Sequence, residues 1–178
     1  LTACEQRYGK QSEEYVRAAS KLADMLAQQG NRTSADSLFR LSIANGRHVA
    51  DDATSSILLG TLKKRASMKC GLGLHTEAFD DLRQARDIAA RLATQEDNAG
   101  VALCDVRMAE QAFLIGRFQQ ARDLARGAWA MMQDRAQAVL TGNGPTSCAA
   151  PGLLPDVVYW TIRAEQAMPV PDSVRKTW

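Results

Sequence analysis

The sequence has few of the residues that most often carry enzymatic chemistry near neutral pH. Two His and three Tyr occur among 178 residues, and aromatic residues make up 6% of the chain. His is the side chain whose ordinary pKa lies closest to neutrality, so general acid–base catalysis has few candidates. No nucleophile stands in a recognisable arrangement with a base and an orienting group. We therefore expect a protein that is not an enzyme and that needs no cofactor.

The cysteines do not follow a metal-binding pattern. Cys4, Cys70, Cys104 and Cys148 form no C-x-x-C pair, and the two His are far apart, so the sequence predicts no metal site. Cys70 and Cys104 fall on predicted helices, where the simplest interpretation is a small core residue. Cys148 lies in a loop rich in Gly and Pro, and a disulfide to Cys70 or Cys104 is the alternative in an oxidising compartment.

Long apolar runs and a strong excess of one charge are also lacking. No stretch approaches the roughly 18 apolar residues of a membrane-spanning helix. Lys and Arg number 22 against 20 Asp and Glu, which leaves a net charge of +2. An excess this small does not indicate nucleic acid as a partner. Contact with a membrane would therefore need a covalent anchor.

The first residues offer one such anchor. Leu1-Thr2-Ala3-Cys4 resembles the lipobox of bacterial lipoproteins, in which the Cys is acylated after the signal peptide is cleaved. That resemblance implies lipidation of Cys4 and a periplasmic, membrane-anchored protein. The alternative is that these residues end the second helix of a preceding repeat in a cytoplasmic protein.

A repeated pattern of small residues organises the rest of the chain. Three sets with the same internal spacing lie 43 positions apart: Ala23, Gly30 and Ala35; Ala66, Gly73 and Ala78; Ala109, Gly116 and Ala121. Apolar residues recur at helical spacing on both sides of each Gly. The pattern predicts helix pairs in which the Ala residues are the points of closest approach and Gly forms the turn.

These helix pairs define the expected organisation of the chain. The repeat predicts three units at about 12–50, 51–94 and 97–140, which stack because one unit alone cannot bury its apolar face. Residues 1–11 lead into the first unit. Residues 141–178 comprise a loop rich in Gly and Pro, a capping helix over 156–168 and an extended tail. The expected fold is therefore all-α, with no strands.

Helix starts are predicted from capping side chains. Ser12 is placed to cap the first helix, and Asp51 or Asp52 the first helix of the second unit. Thr33 or Ser34 is placed to cap the second helix of the first unit.

The residue pattern resembles the tetratricopeptide repeat. In this family a small residue is followed by Gly, Ala, a larger apolar residue and another small residue at fixed distances. The last two positions of that pattern are occupied here by Phe39 and Ser42, Leu82 and Ala85, and Ala125 and Ala128. The period is slightly long, as in the units of kinesin light chains and many bacterial proteins. The resemblance, over roughly residues 12–135, implies a short right-handed solenoid that binds protein segments.

Two features depart from the family pattern. The bulky aromatic residue usual near the start of each unit is replaced by Ala19, Leu62 and Asp105, and no Pro ends the units. The Asn residues with which some members clamp chaperone tails are absent from the first helices. A chaperone-tail receptor is therefore not expected.

The resemblance places ligands on a concave surface lined by the first helix of each unit. A basic residue stands two positions before the first Ala of each set: Lys21, Lys64 and Arg107. Further side chains are expected near this row: Arg17, Lys63 and Lys69, with Asp24, Ser67 and Glu110 three positions beyond it. The functional interpretation is that the row binds carboxylates of an acidic protein segment or of a chain terminus.

The structural alternative is that these charges form ordinary ion pairs within one helix. Lys21 with Asp24 and Arg107 with Glu110 have the required spacing, and such pairs contribute roughly 0.2–0.5 kcal/mol each. Asp80 and Asp81 are expected as an acidic pair on an exposed helix face without the ligands of a metal site. His75 is expected to be a solvated turn residue.

The sequence thus predicts a non-enzymatic scaffold for protein–protein interaction, such as an accessory or assembly subunit of a larger complex. A bacterial cell-envelope complex would fit the lipobox. The alternative is a cytosolic regulatory or sensor module from a longer protein whose effector domain is elsewhere. No nucleic-acid partner is expected, and membrane contact only through Cys4.

Overall fold

The protein is helical throughout the part of the chain that the structure describes. In a computed structural model, residues 1–49, 51–93, 98–140 and 153–168 are described. They form eight helices and no strand: α1 (Thr2–Tyr8), α2 (Glu13–Gln28), α3 (Arg32–Gly46), α4 (Asp52–Cys70), α5 (His75–Leu92), α6 (Ala99–Leu114), α7 (Phe118–Leu140) and α8 (Leu153–Ala167). Within these ranges no helix has the length and apolar character that crossing a membrane requires.

The helices pack in sequence order within two compact units, Leu1–Thr94 and Gln95–Trp178. In the first unit α2 pairs with α3 and α4 pairs with α5, while α4 also packs on α2 and α3, and α1 lies on α2. In the second unit α6 pairs with α7, and α8 packs on both. The predicted all-α class, with antiparallel helix pairs followed by a terminal helix, is confirmed.

The three turns within the helix pairs have the same backbone geometry. Gly30, Gly73 and Gly116 have φ values of 81°, 73° and 79°. The residue after each Gly donates its amide to the carbonyl five positions earlier: Asn31 to Leu26 at 2.9 Å, Leu74 to Lys69 at 3.0 Å and Arg117 to Ala112 at 2.8 Å. This left-handed glycine turn satisfies the last carbonyls of the first helix and reverses the chain.

The identical turns set a common starting point for the second helices. α3, α5 and α7 begin at Arg32, His75 and Phe118, which are 43 residues apart. The repeat length inferred from the small residues is therefore also the repeat length of the backbone.

The Ala residues on either side of each turn lie in the core, as predicted. All six are at most 1% exposed: Ala23, Ala35, Ala66, Ala78, Ala109 and Ala121. Ala23 and Ala35 form one cluster with Phe39. A methyl side chain at the crossing point lets the two helix axes approach closely, because the interaxial distance depends on the side chains at the contact.

Two of the predicted helix caps are confirmed. The Ser12 hydroxyl accepts a hydrogen bond from the amide of Tyr15 at 3.2 Å. The Asp51 carboxylate accepts one from the amide of Thr54 at 2.5 Å and one from its hydroxyl at 3.1 Å. Each cap satisfies an amide that has no carbonyl partner in the first turn of its helix.

The cap predicted for α3 is wrong. The helix begins at Arg32, ahead of Thr33 and Ser34, and the Asn31 side chain accepts from the amide of Ser34 at 3.3 Å. Asn31 directly follows the left-handed Gly30, so the chain has already reversed at that point. The turn and the cap therefore share one residue, and no linker separates the helices.

The segments before and after the predicted repeats also differ from expectation. α8 begins at Leu153, three residues before the predicted start of 156, and it ends at Ala167. Pro155 does not delay the helix, because proline is tolerated in a first turn, where its missing amide has no helical partner. The lead-in 1–11 contains α1. The predicted Gly/Pro loop and extended tail lie outside the described residues.

The packing of α3 on α4 leaves little room for a side chain at the end of α3. Gly46, the last residue of α3, is buried against Leu58, and a Cβ at Gly46 would lie 2.5 Å from Leu58 Cδ2 and 3.2 Å from Val16 Cγ1. The contact with Leu58 cannot exist without movement of that side chain, and the contact with Val16 is tight. Gly46 is therefore required for packing rather than for an unusual backbone angle.

We predict that Gly46→Ala destabilises the protein by about 1–2 kcal/mol. The overpacking cost of about 1–3 kcal/mol exceeds the gain of up to about 1 kcal/mol from replacing Gly in a helix. Gly60→Ala is the matched control, because Gly60 lies inside α4 and a methyl group added there would have no neighbouring atom within 4 Å. We expect the control to stabilise by roughly 0.5–1 kcal/mol. Equal shifts of the two variants in urea denaturation would contradict the close approach.

Candidate functional site

The surface formed by α2 and α4 contains most of the predicted binding residues of the first unit. Below its solvent-facing groups, the hydroxyls of Ser20 and Thr61 are hydrogen-bonded to each other at 2.7 Å, and both residues are buried. This contact fixes the register of α2 against α4, because each buried hydroxyl needs a partner. We call the polar face above it the α2–α4 surface, comprising Arg17, Lys21, Asp24, Lys63, Lys64 and Ser67.

An ion pair crosses this surface. Lys64 Nζ lies 2.6 Å from Asp24 Oδ2, with the side chains 45% and 29% exposed. The same-helix pair of Lys21 with Asp24 therefore does not form, since Asp24 is engaged by the next helix pair. At this exposure an ion pair contributes about 0.2–1 kcal/mol. Lys64 acts first as a link between α2 and α4, and a ligand carboxylate would have to compete with Asp24 for it.

The remaining residues of the α2–α4 surface differ in how they are neutralised. Arg17 is exposed and pairs with Glu13 one turn earlier on α2. Lys21 is exposed and Lys63 half-buried, and neither has a carboxylate within ion-pair distance among the described residues. Ser67 is exposed one turn beyond Lys64. The surface thus carries two basic groups that form no ion pair with a carboxylate in the described part of the chain.

The third member of the basic row belongs to the second unit. Arg107 lies on α6, where its Nη1 is 3.3 Å from Glu110 Oε2, with side chains 52% and 28% exposed. The same-helix alternative is therefore what the structure shows for this pair. Whether the row also binds carboxylates stays a prediction.

A buried cluster of charges lies inside the α4–α5 pair, where none was expected. Asp81 is 1% exposed and accepts a two-point hydrogen bond from Arg65, with Nε at 2.8 Å from Oδ2. Lys69 Nζ lies 3.0 Å from the same Asp81 oxygen and 3.2 Å from Glu77 Oε2. The prediction of Asp81 as an exposed residue is wrong, whereas Asp80 is exposed. Lys69, 7% exposed, faces this cluster and not the ligand surface.

The repeat itself contains the signal that would have revealed this cluster. Shifted back by 43 positions, Arg65, Lys69 and Asp81 correspond to Leu22, Leu26 and Leu38; shifted forward, they correspond to Met108, Ala112 and Leu124. Three positions that are apolar in both neighbouring units are charged in the second unit, where Arg65 and Lys69 share the carboxylate of Asp81. Opposite charges at positions that are otherwise apolar indicate an ion-pair network.

Electrostatics within the cluster keep Arg65 ionised. Burial alone would lower the pKa of Arg65, but the hydrogen bond and charge of Asp81, with smaller contributions from Asp36 and Glu77, outweigh it and raise the pKa above its ordinary value. The guanidinium is therefore charged at every pH at which the protein is studied. Its role is to hold α5 against α4 by two directional bonds.

The remaining sequence candidates are dispersed. Cys4 is half-buried in α1, Cys70 is half-buried at the end of α4, and Cys104 is buried in α6, as a core residue should be. Cys148, and with it the proposed disulfide, lies outside the described residues. His75 is the first residue of α5 and is half-buried, so its placement in a solvated turn is wrong. Among described side chains, no three His, Cys, Asp or Glu are grouped to hold a metal ion.

Comparison of the chain with models of known protein families and with curated proteins finds no match.

We predict that Asp81→Ala destabilises the protein by about 3–5 kcal/mol, because it leaves Arg65 and Lys69 buried without their shared counter-charge. The exposed neighbour gives the control, and Asp80→Ala should change stability by less than about 0.5 kcal/mol. The triple variant Arg65→Leu, Lys69→Leu and Asp81→Leu restores the residue type of the first unit. It should be neutral or stabilising by about 1–4 kcal/mol. Thermal denaturation measures all three, and a triple variant less stable than Asp81→Ala would contradict this account.

Proposed function

We propose that the protein is a non-enzymatic, tetratricopeptide-like scaffold that binds an acidic protein segment on the α2–α4 surface. In this proposal the helix pairs are a rigid support, and the side chains that project from α2 and α4 select the partner. A subunit of this kind assembles or assists a larger complex and does no chemistry of its own.

The observation that carries the proposal is the uneven neutralisation of charge on this surface. Four basic side chains and one carboxylate make up its charged groups: Arg17, Lys21, Lys63, Lys64 and Asp24. Asp24 is engaged by Lys64, and Arg17 by Glu13. Lys21 and Lys63 are left to attract a partner's carboxylates, which favours an acidic segment by charge complementarity.

Apolar groups next to these bases make the surface suitable for a protein segment. Met25 is 57% exposed one turn beyond Lys21, and Leu22 is 36% exposed beside it. Exposed apolar side chains bordered by charge are a feature of interaction sites, because the apolar contact supplies affinity and the charges supply selection. The expected ligand therefore combines acidic residues with at least one apolar residue.

We predict that Lys21→Glu with Lys63→Glu weakens binding of an acidic probe by roughly 10–30-fold, since each of the two solvent-accessible ion pairs contributes up to about 1 kcal/mol. The probe is a fluorescein-labelled peptide of alternating Glu and Leu, and the same peptide with Gln for Glu is the uncharged comparison. Fluorescence anisotropy at low and high salt measures binding, and the Glu peptide should lose affinity as salt rises.

The control carries the same change of charge elsewhere on the first unit. Arg32→Glu with Arg83→Glu alters two exposed residues on α3 and α5, away from the α2–α4 surface. Both double variants should retain the circular dichroism of the parent. Equal loss of binding in the two variants would mean that only net charge matters, and equal affinity for the Glu and Gln peptides would remove the acidic partner from the proposal.

Attachment to a membrane through Cys4 is a separate proposal, based on the lipobox-like residues. Acylation would make Cys4 the first residue, so that Leu1 to Ala3, the start of α1, would be removed. We expect mass spectrometry of protein from its native cells to show a lipidated Cys4 with these residues missing. An unmodified Cys4 preceded by Ala3 in that protein would contradict the proposal.

A further inference from the structure

A cleft lies on the other side of α4, between α3 and α5. These two helices pack on α4 rather than on each other, which leaves a space of about 330 Å³ between them. The floor is formed by Leu58 and Leu62 of α4, and the walls by Ile43 and Ile88. No residue of the α2–α4 surface lines this cleft, so the two surfaces are separate.

The rim of the cleft is basic. Arg47 directly follows α3, and its Nη2 donates to Gln84 Oε1 of α5 at 2.5 Å. Arg91 lies on the last turn of α5 and also lines the cleft, as does Asp87. The hydrogen bond to Gln84 joins the exposed Arg47 to α5 at the rim of the cleft.

The two arginines have no paired carboxylate among the described residues. Neither Arg47 nor Arg91 has a carboxylate within ion-pair distance in the described part of the chain, although Asp87 shares their rim. Arg40, Arg65 and Arg83, by contrast, each pair with a carboxylate within the first unit. Two uncompensated guanidinium groups above an apolar floor are complementary to a ligand with an apolar body and a carboxylate.

We propose that this cleft is a second docking site, for a segment of a partner protein in which a large apolar side chain enters the cleft and an acidic side chain, one helical turn away, binds Arg47 and Arg91. The charge of the rim selects an acidic segment, and the apolar floor requires the anchor side chain.

A protein segment fits this site better than a free carboxylic acid. The volume is at the lower end of the range for small-molecule pockets, roughly 300–1,000 Å³, which usually enclose most of their ligand. The apolar side chains of the floor and walls are at most 7% exposed, so the cleft offers a narrow apolar contact. A segment can add contacts along the outer faces of α3 and α5, which a free acid cannot reach.

The test is a titration of the 15N-labelled protein, followed by NMR. The probe is an acetylated and amidated peptide with one Phe and, a helical turn later, one Glu. Two matched peptides carry Ala in place of Phe or Gln in place of Glu. The free acid is represented by 4-phenylbutyrate. We expect saturable shifts of amides in 43–49 and 84–91. Affinity should fall at least about tenfold with Ala for Phe and about fivefold with Gln for Glu.

Variants of the protein separate the charge of the rim from the shape of the cleft. Arg47→Gln with Arg91→Gln should weaken the peptide about fivefold or more and abolish its preference for Glu over Gln. Ser55→Phe places a ring in the cleft from the first turn of α4 and should prevent binding with both arginines intact. Arg32→Gln with Arg83→Gln is the control on α3 and α5 and should leave the affinity unchanged.

Each remaining outcome would overturn the proposal. These outcomes are the absence of saturable shifts, shifts on α2 near Lys21 in place of the cleft, and the same affinity in the Arg47→Gln, Arg91→Gln variant. Binding of 4-phenylbutyrate as tight as that of the peptide would show a site for free acids. Because the docking site and the α2–α4 surface use different residues, Lys21→Glu with Lys63→Glu should leave this titration unchanged, which distinguishes failure of one from failure of the other.

Discussion

The left-handed glycine turn is the constraint on which the helix pairs depend. At Gly30, Gly73 and Gly116 the chain reverses within a few residues, and the amide that follows each Gly bonds to the preceding helix in the same way. Residues on the two sides of a turn therefore face each other at fixed positions. A side chain larger than Ala at Ala23 or Ala35 would push the helices apart close to the turn, where the backbone cannot adjust.

Much of this arrangement was predictable, because it follows from short-range rules. Spacing of Ala and Gly predicted the turns, and the polar residues Ser12 and Asp51 predicted two helix starts. The cap of α3 was mispredicted because Asn31 belongs to the turn and to the helix at once. The start of α8 was mispredicted because the helix begins two residues ahead of Pro155, and in a first turn a proline has no hydrogen bond to lose.

The candidate site was less predictable, because its contacts join different helix pairs. Asp24 is three positions from Lys21 in the sequence, yet its carboxylate bonds to Lys64. The register of α2 against α4 decides whether the Asp24 carboxylate pairs with Lys21 or with Lys64. The buried hydroxyls of Ser20 and Thr61 fix this register, and no sequence motif predicts their contact. Periodicity places a residue on a face, but it does not tell which neighbour across that face is nearer.

The charged cluster of the second helix pair makes the three pairs non-equivalent during folding. Helices with nearly the same pattern of small residues can exchange partners, a common failure of repeat proteins. If α4 docked on α7, Arg65 and Lys69 would face Leu124, the counterpart of Asp81, and their charges would be buried without a carboxylate. The free-energy cost of burying these unpaired charges far exceeds the cost of exchanging one apolar contact for another. The cluster therefore favours the pairing of α4 with α5 over its pairing with the similar helices elsewhere in the chain.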